Sequence, residues 1–148
     1  DKYKNTAAAS AYVSTVGKHV FKVAPSGTAD AAISWTTALE ITNDSRGLSQ
    51  FTAKAWVNFN GKNTLSIRDS HNISSVTDNG VGNYTINFSN SLANANYSVS
   101  GSFSRNDASA QFINPYDTGR YTHAFRCEFF QAGAQADSGG INLQVFGD

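Results

Sequence analysis

Apolar and polar residues alternate in short runs along much of the chain, and a period of two is the pattern of β-strands with one buried face. Runs of seven residues span positions 53–59 and 97–103, and runs of five span positions 84–88 and 125–129. Residues typical of turns, such as Gly, Pro, Asn and Asp, recur about every eight to twelve positions. No stretch shows a convincing helical period. The pattern therefore predicts an all-β fold, an antiparallel β-sandwich or jelly roll of about eight strands.

The first fifty residues carry a weaker form of this pattern. Residues 1–18 are predicted to form an irregular lead-in with some strand. The apolar runs that follow are brief and lie at residues 20–23, 33–35 and 39–41. Strands this short do not bury a core alone and must pack against a neighbour or further copies. We therefore expect a short β-rich shaft or neck segment over residues 1–50 and a sandwich tip domain over residues 51–148.

Between Ser104 and Thr122 the alternation is lost, which predicts an irregular polar segment on the β scaffold. Aromatic rings stack on sugar faces, and Asn, Asp and Arg side chains form hydrogen bonds with hydroxyl and carboxylate groups. The candidate receptor-binding residues are Arg105, Asn106, Asn114, Tyr116, Asp117, Arg120 and Tyr121. The turns at Asn60-Gly61, a pair typical of a tight hairpin with positive φ, and at residues 78–82 are second candidates. The segment would also suit a polar connection at one end of the sandwich, or a subunit interface.

The charge balance argues against nucleic acid as a partner. Eleven basic and eleven acidic residues give a formal net charge of zero, so no basic field attracts a phosphate backbone. Only 15% of residues are charged, and Asn, Ser and Thr take their place. Because the longest apolar runs are only a few residues, no membrane insertion is expected. A sequence that lacks Met and opens on Asp1 is expected to be a fragment or a processed product.

Residues capable of catalysis are few and scattered. Glu40 and Glu128 could form the carboxylate pair of a glycoside hydrolase, but both have the placement of solvated strand carboxylates. The three histidines have no metal-ligand spacing, and no serine lies in a nucleophile elbow. Cys127, the only cysteine, alternates with phenylalanines and is predicted to be a buried apolar residue without an intrachain disulfide. We expect no cofactor, no metal and no enzymatic activity.

Several stretches resemble a module of tailed-bacteriophage tail fibres. They are Ala53-Lys54-Ala55-Trp56-Val57-Asn58-Phe59-Asn60-Gly61, residues 67–80 and 82–88 with the string Ser75-Val76-Thr77-Asp78-Asn79-Gly80, Ala95-Asn96-Tyr97-Ser98-Val99 and the closing run Ile141-Asn142-Leu143-Gln144-Val145-Phe146-Gly147. The resemblance covers about two-thirds of the chain. The region from Ser104 to Arg126 resembles nothing in that family, so no receptor can be carried over from it.

The resemblance implies the distal, C-terminal domain of a fibre: a homotrimer in the virion, joined to upstream fibre or tail proteins, that meets a bacterial surface glycan or outer-membrane protein. Trp35 and Trp56 would then pack against neighbouring subunits. Three alternatives stay open: a purely structural trimerisation or capping domain, a monomeric carbohydrate-binding module, and a polysaccharide depolymerase. The low content of acidic residues argues against the depolymerase.

Overall fold

A computed structural model describes residues 1–43, 46–49, 51–104 and 111–147, with the backbone alone at Gln111, Phe112 and Asp117. Over these residues the strands form three antiparallel sheets and no helix occurs, which confirms the predicted all-β class. The chain divides into two compact units, residues 1–52 and 53–148.

The first unit is one antiparallel sheet in the order β1-β2-β3-β4. Its strands are β1 (Ala7–Thr15), β2 (Lys18–Gly27), β3 (Thr36–Thr42) and β4 (Gly47–Leu48). The strand expected within residues 1–18 is confirmed, but the irregular character predicted for this lead-in is wrong, because β1 pairs with β2 over most of its length. The strand predicted at residues 33–35 is also wrong, since Trp35 lies just before β3. Alanine and serine dominate β1, and their weak contrast in hydropathy conceals the strand.

Buried hydrophobic side chains of the first unit are few in the described residues: Tyr3, Val20 and Ala24. The Tyr3 hydroxyl donates a hydrogen bond to the Pro25 carbonyl oxygen at 2.6 Å. The Tyr3 ring occupies the space that a Cβ on Gly27 would need, so a larger residue at position 27 would displace the ring. One tyrosine therefore anchors the chain start against the end of β2.

The second unit contains two antiparallel sheets. Its strands are β5 (Ala55–Asn60), β6 (Ser66–His71), β7 (Ile73–Gly80), β8 (Asn83–Phe88), β9 (Ser98–Phe103), β10 (Gln111–Tyr121), β11 (Ala124–Gln131), β12 (Ala134–Gln135) and β13 (Ile141–Phe146). The β8 sheet has the order β10-β11-β8-β7, with β12 paired to β11, and the β5 sheet has the order β6-β5-β13-β9. Apart from the two-residue β12, the strands described in this unit number eight, in line with the predicted count.

The inward faces of these two sheets share one hydrophobic core. Phe59 of β5 and Tyr84 of β8 meet edge to face with ring centroids 5.2 Å apart, and Phe103 of β9 meets Phe129 of β11 at 5.4 Å. Two antiparallel sheets around a common core form the arrangement of a β-sandwich. Cys127 is fully buried in this core, as its alternation with phenylalanines predicts.

The longest described strand, β10, lies in the segment predicted to be an irregular loop. Residues 111–115 and 120–121 pair with β11, so that prediction is wrong. Between these two paired stretches the register shifts, and residues 116–119 face Arg126 alone. A bulge of this size breaks the period of two, which is why the pattern of β10 cannot be recognised from the sequence.

The turn between β5 and β6 also differs from its prediction. Asn60-Gly61 does not form the tight pair with positive φ; that conformation belongs to Asn63. The Asn60 amide instead holds the turn by donating to the carbonyl oxygens of Lys62 and Thr64, each at 2.9 Å. Glycine is needed at position 61 for another reason: a Cβ there would collide with a core tyrosine hydroxyl.

Candidate functional site

The outer face of the β8 sheet carries a continuous set of polar side chains. In β8, Tyr84, Ile86 and Phe88 are buried, so the residues that alternate with them point outward. The cross-strand register brings outward residues of four strands side by side. We name this set the polar face; its members are Ser75, Thr77, Asn79, Asn83, Thr85, Asn87, Asn114, Tyr116, Arg126 and Glu128.

Glu128 is the centre of the polar face. Its Oε1 atom accepts hydrogen bonds from the Tyr116 hydroxyl, from Asn83 Nδ2 at 3.2 Å and from Gln135 Nε2 at 2.5 Å. The hydrogen bond to Glu128 favours the neutral phenol and raises the pKa of Tyr116 above its ordinary value. Donors from β10, β8 and β12 therefore hold one carboxylate in place.

Arg126 links the tyrosine to the amides. Its guanidinium carbon lies 4.8 Å from the centre of the Tyr116 ring, a cation–π contact, and its Nε donates to Asn83 Oδ1 at 2.9 Å. Because Arg126 faces the bulge of β10, the displaced backbone brings Tyr116 over the guanidinium. The charges of Arg126 and Glu128 balance each other at this end of the face.

Amide and hydroxyl groups continue the polar face across β8 and β7. Asn79 Nδ2 donates to Thr85 Oγ1 at 2.9 Å. Asn87 Nδ2 lies 3.0 Å from Ser75 Oγ and 3.2 Å from Thr77 Oγ1, with hydrogen-bond geometry to both. Cross-strand pairs of this kind hold short polar side chains in defined positions.

The structure separates the residues that the sequence groups as receptor-binding candidates. Asn114 is exposed beside Glu128, and Tyr116 belongs to the network. Arg120 pairs with Phe125 in the cross-strand register. Burial raises the pKa of the Tyr97 phenol, and the nearby Arg120 charge offsets part of that rise. Arg120 is therefore directed away from the polar face.

The remaining candidates lie elsewhere or are not described. Tyr121 stacks on His123 at the turn between β10 and β11, with ring centroids 5.5 Å apart. Asp117 lies in the bulge, and only its backbone is described; Arg105 and Asn106 lie outside the described residues. Asn83, Arg126 and Gln135 are not among the binding residues predicted from the sequence. Alternation along β8 and β11 points Asn83 and Arg126 outward, whereas Gln135 follows no pattern.

Both carboxylates considered as a glycosidase pair, Glu128 and Glu40, already have partners within the chain. Glu128 accepts the three hydrogen bonds above, and Glu40 of the first unit forms an ion pair with Lys18 at 2.7 Å. Over the described residues, no three His, Cys, Asp or Glu side chains are grouped so that they could hold a metal ion. The chemistry that the polar face offers is hydrogen bonding and ring stacking.

The two tryptophans occupy partly exposed positions, one in each unit. Trp35 donates its indole N–H to an Asp1 carboxylate oxygen at 3.0 Å. Trp56 points outward from β5, as alternation with the buried Ala55 and Val57 predicts. Whether either ring contacts another subunit stays a prediction.

Comparison with protein-family models, with curated proteins and with solved structures finds no match to this chain. No helix in the described ranges is both long and apolar enough to cross a membrane. Function is therefore inferred from the residues of this chain.

Proposed function

We propose that this chain is the distal domain of a phage tail fibre, which attaches the virion to a bacterial surface glycan or outer-membrane protein as a non-enzymatic homotrimer. The resemblance of residues 53–61 and 75–88 to tail-fibre modules supports the family. The observation that carries receptor binding is the polar face, where Tyr116, Arg126 and Glu128 hold one another in position.

A receptor would find its contacts on the polar face already arranged. Glu128 and Arg126 hold the Tyr116 ring from two sides, and neighbouring strands hold the amides. Groups ordered before binding lose less conformational entropy when a ligand arrives. Three copies per fibre then multiply a weak single contact through avidity.

The homotrimer is supported by an exposed apolar face in the first unit. Its members are Tyr12 (56% exposed), Phe21 (42%), Val23 (46%) and Ile41 (39%). The register aligns Tyr12 with Phe21, whose ring centroids lie 5.2 Å apart, so these side chains share one side of the sheet. Contiguous apolar patches of this kind mark interaction surfaces. A second copy of the chain is the partner that the fibre proposal assigns to this face.

Light scattering after gel filtration tests the assembly. We expect a mass about three times the 15.8 kDa of the chain, and we expect Phe21→Ser to lower it. Val16→Ser is the matched control, because Val16 is exposed in the turn between β1 and β2, outside the apolar face. A monomeric wild type would contradict the fibre proposal and favour a single-chain module.

Adsorption to intact bacteria tests receptor binding. The test uses a bacterial strain whose cells bind the wild-type protein. For Tyr116→Ala, we expect the fraction of protein bound to those cells to fall about tenfold or more, because avidity multiplies each lost contact. Ser98→Ala, an exposed change on the β5 sheet, is the control. Unchanged adsorption of Tyr116→Ala at unchanged mass would exclude the polar face as the receptor contact.

A further inference from the structure

A groove of about 540 Å³ lies on the outer face of the β5 sheet. Its polar and aromatic lining residues are Trp56, Asn58, Arg68, Asp69, Asn142 and Gln144. The register places Trp56 beside Gln144 and Asn58 beside Asn142. The groove therefore belongs to the opposite sheet from the polar face, and its volume falls within the range of about 300–1,000 Å³ of small-molecule sites.

A bulge in β6 supplies both charged residues of the groove. The pairs Asn58–Asp69 and Phe59–Ile67 leave Arg68 as the extra residue on β6. Because a bulge interrupts alternation, Arg68 and the adjacent Asp69 can both face the groove. Together they contribute one positive and one negative charge, so the groove is polar without a net charge.

The floor of the groove is fixed by hydrogen bonds. Asn58 Nδ2 donates to Asn142 Oδ1 at 2.5 Å, and Arg68 Nη1 donates to Asn58 Oδ1 at 3.1 Å. The other terminal nitrogen of Arg68 donates to the Gly139 carbonyl oxygen. This chain of contacts joins β6, β5 and β13 and holds the guanidinium in one place.

Other polar groups in the groove are available to a ligand. The indole N–H of Trp56 and the amide of Gln144 form no hydrogen bond with any described residue, although the two residues pair directly across β5 and β13. Trp56 is partly exposed and lines the groove. A flat apolar ring thus lies beside unengaged donors and acceptors.

We infer that this groove binds a saccharide unit, with one pyranose face on the Trp56 indole and its hydroxyls hydrogen-bonded to Gln144, Asp69 and Asn142. A pyranose combines an apolar C–H face with a rim of hydroxyls, which matches an aromatic ring bordered by amides and a carboxylate. The absence of a net charge favours neutral sugars. The inference goes beyond the polar face and rests on the proposed function only in naming a glycan as the receptor class.

Saturation-transfer NMR of the full chain with glucose, galactose, mannose, rhamnose, N-acetylglucosamine and N-acetylgalactosamine tests the inference. We expect at least one sugar to bind the wild type saturably. Trp56→Ala should weaken that binding about tenfold or more, whereas Trp56→Phe, which keeps a ring, should weaken it only a few-fold. Ser98→Ala, an exposed change on the β5 sheet outside the groove, is the control and should leave the affinity unchanged.

The outcomes separate a sugar from a second copy of the chain as the occupant. Unchanged mass of Trp56→Ala in light scattering, with weakened sugar binding, supports the inference. Binding of no panel sugar by the wild type, wild-type affinity in Trp56→Ala, or a fall of that variant to monomer mass would overturn it. A monomeric wild type would remove the fibre proposal but leave this test valid, because all lining residues belong to one chain.

Discussion

Phe21 in β2 and Phe59 in β5 both belong to strands of antiparallel sheets, yet Phe21 is 42% exposed and Phe59 is 0% exposed. Phe59 lies under a second sheet and packs against Tyr84 of β8. Phe21 lies on a sheet whose unit contains no second layer among its described residues, and its ring neighbour Tyr12 is itself exposed. The same residue type therefore belongs to a closed core in one unit and to an open face in the other.

The contrast shows what each unit needs. The second unit has two sheets around one cluster of buried side chains, which is the composition of a domain that can fold alone. The first unit has one sheet with few buried side chains, and a sheet that exposes apolar residues is more stable when another surface covers them. The trimer proposal assigns that surface to a second copy.

The largest expected effect comes from truncating these two rings. Phe59→Ala should lower the free energy of unfolding of the second unit by about 3–5 kcal/mol, because it leaves a cavity in a closed core. Phe21→Ala should destabilise the single chain far less but lower the assembly mass. Denaturation followed by Trp56 fluorescence in a Trp35→Phe background reports the second unit, and Trp35 in a Trp56→Phe background reports the first.

Equal losses in the two variants would contradict the comparison, since they would place Phe21 in a closed core of its own chain. Val16→Ala serves as the control in the first unit, because its side chain is 99% exposed. It should change neither stability nor mass.

The same contrast determines how much the sequence could predict. Where a strand has one buried face, as β5, β8 and β11 do, alternation identified the strand and placed Cys127 inward. Where no face is closed, as in β1, or where a bulge interrupts the period, as in β10, alternation failed. The number of strands could be estimated from the sequence, but which strands pair with one another in each unit could be learned only from the structure.

The candidate site shows the same limit. Asn114 and Tyr116 were selected by residue type, and the polar face includes both. Arg126 and Asn83 become part of the site only through cross-strand register, and register is invisible in a single sequence. Arg120 was selected for its charge, but its position opposite Phe125 separates it from the network.

Alkaline pH should destabilise the closed core. Burial raises the pKa of the Cys127 thiol from 9.0 to about 12 and that of Tyr97 from 10.0 to about 12, and burial with Asp137 raises the pKa of Tyr84 further. Above pH 9 the unfolded chain loses these protons first, so ionisation favours unfolding. The free energy of unfolding should fall by about 1.4 kcal/mol per pH unit for each group that titrates.

Urea unfolding from pH 8 to pH 11, followed by Trp56 in the Trp35→Phe background, measures this slope. Cys127→Ala should remove the part that begins near pH 9 and keep the tyrosine part, which begins near pH 10. An identical slope in Cys127→Ala would show that the thiol does not contribute. Below pH 9 these groups should add no pH dependence to the free energy of unfolding of either protein.

The smallest expected effect concerns the first unit, where the Lys18–Glu40 ion pair at 2.7 Å is partly exposed. Lys18→Ala should cost about 0.2–1 kcal/mol of unfolding free energy, because water and salt screen the attraction between exposed charges. Lys4→Ala, an exposed lysine outside the strands, is the control. Denaturation followed by Trp35 in the Trp56→Phe background, at low and high salt, measures the difference. A loss above about 2 kcal/mol that persists at high salt would exceed the range of exposed pairs. It would show that the sheet of the first unit is stabilised mainly by this ion pair. The exposed apolar face would then no longer be a reason to expect a partner subunit.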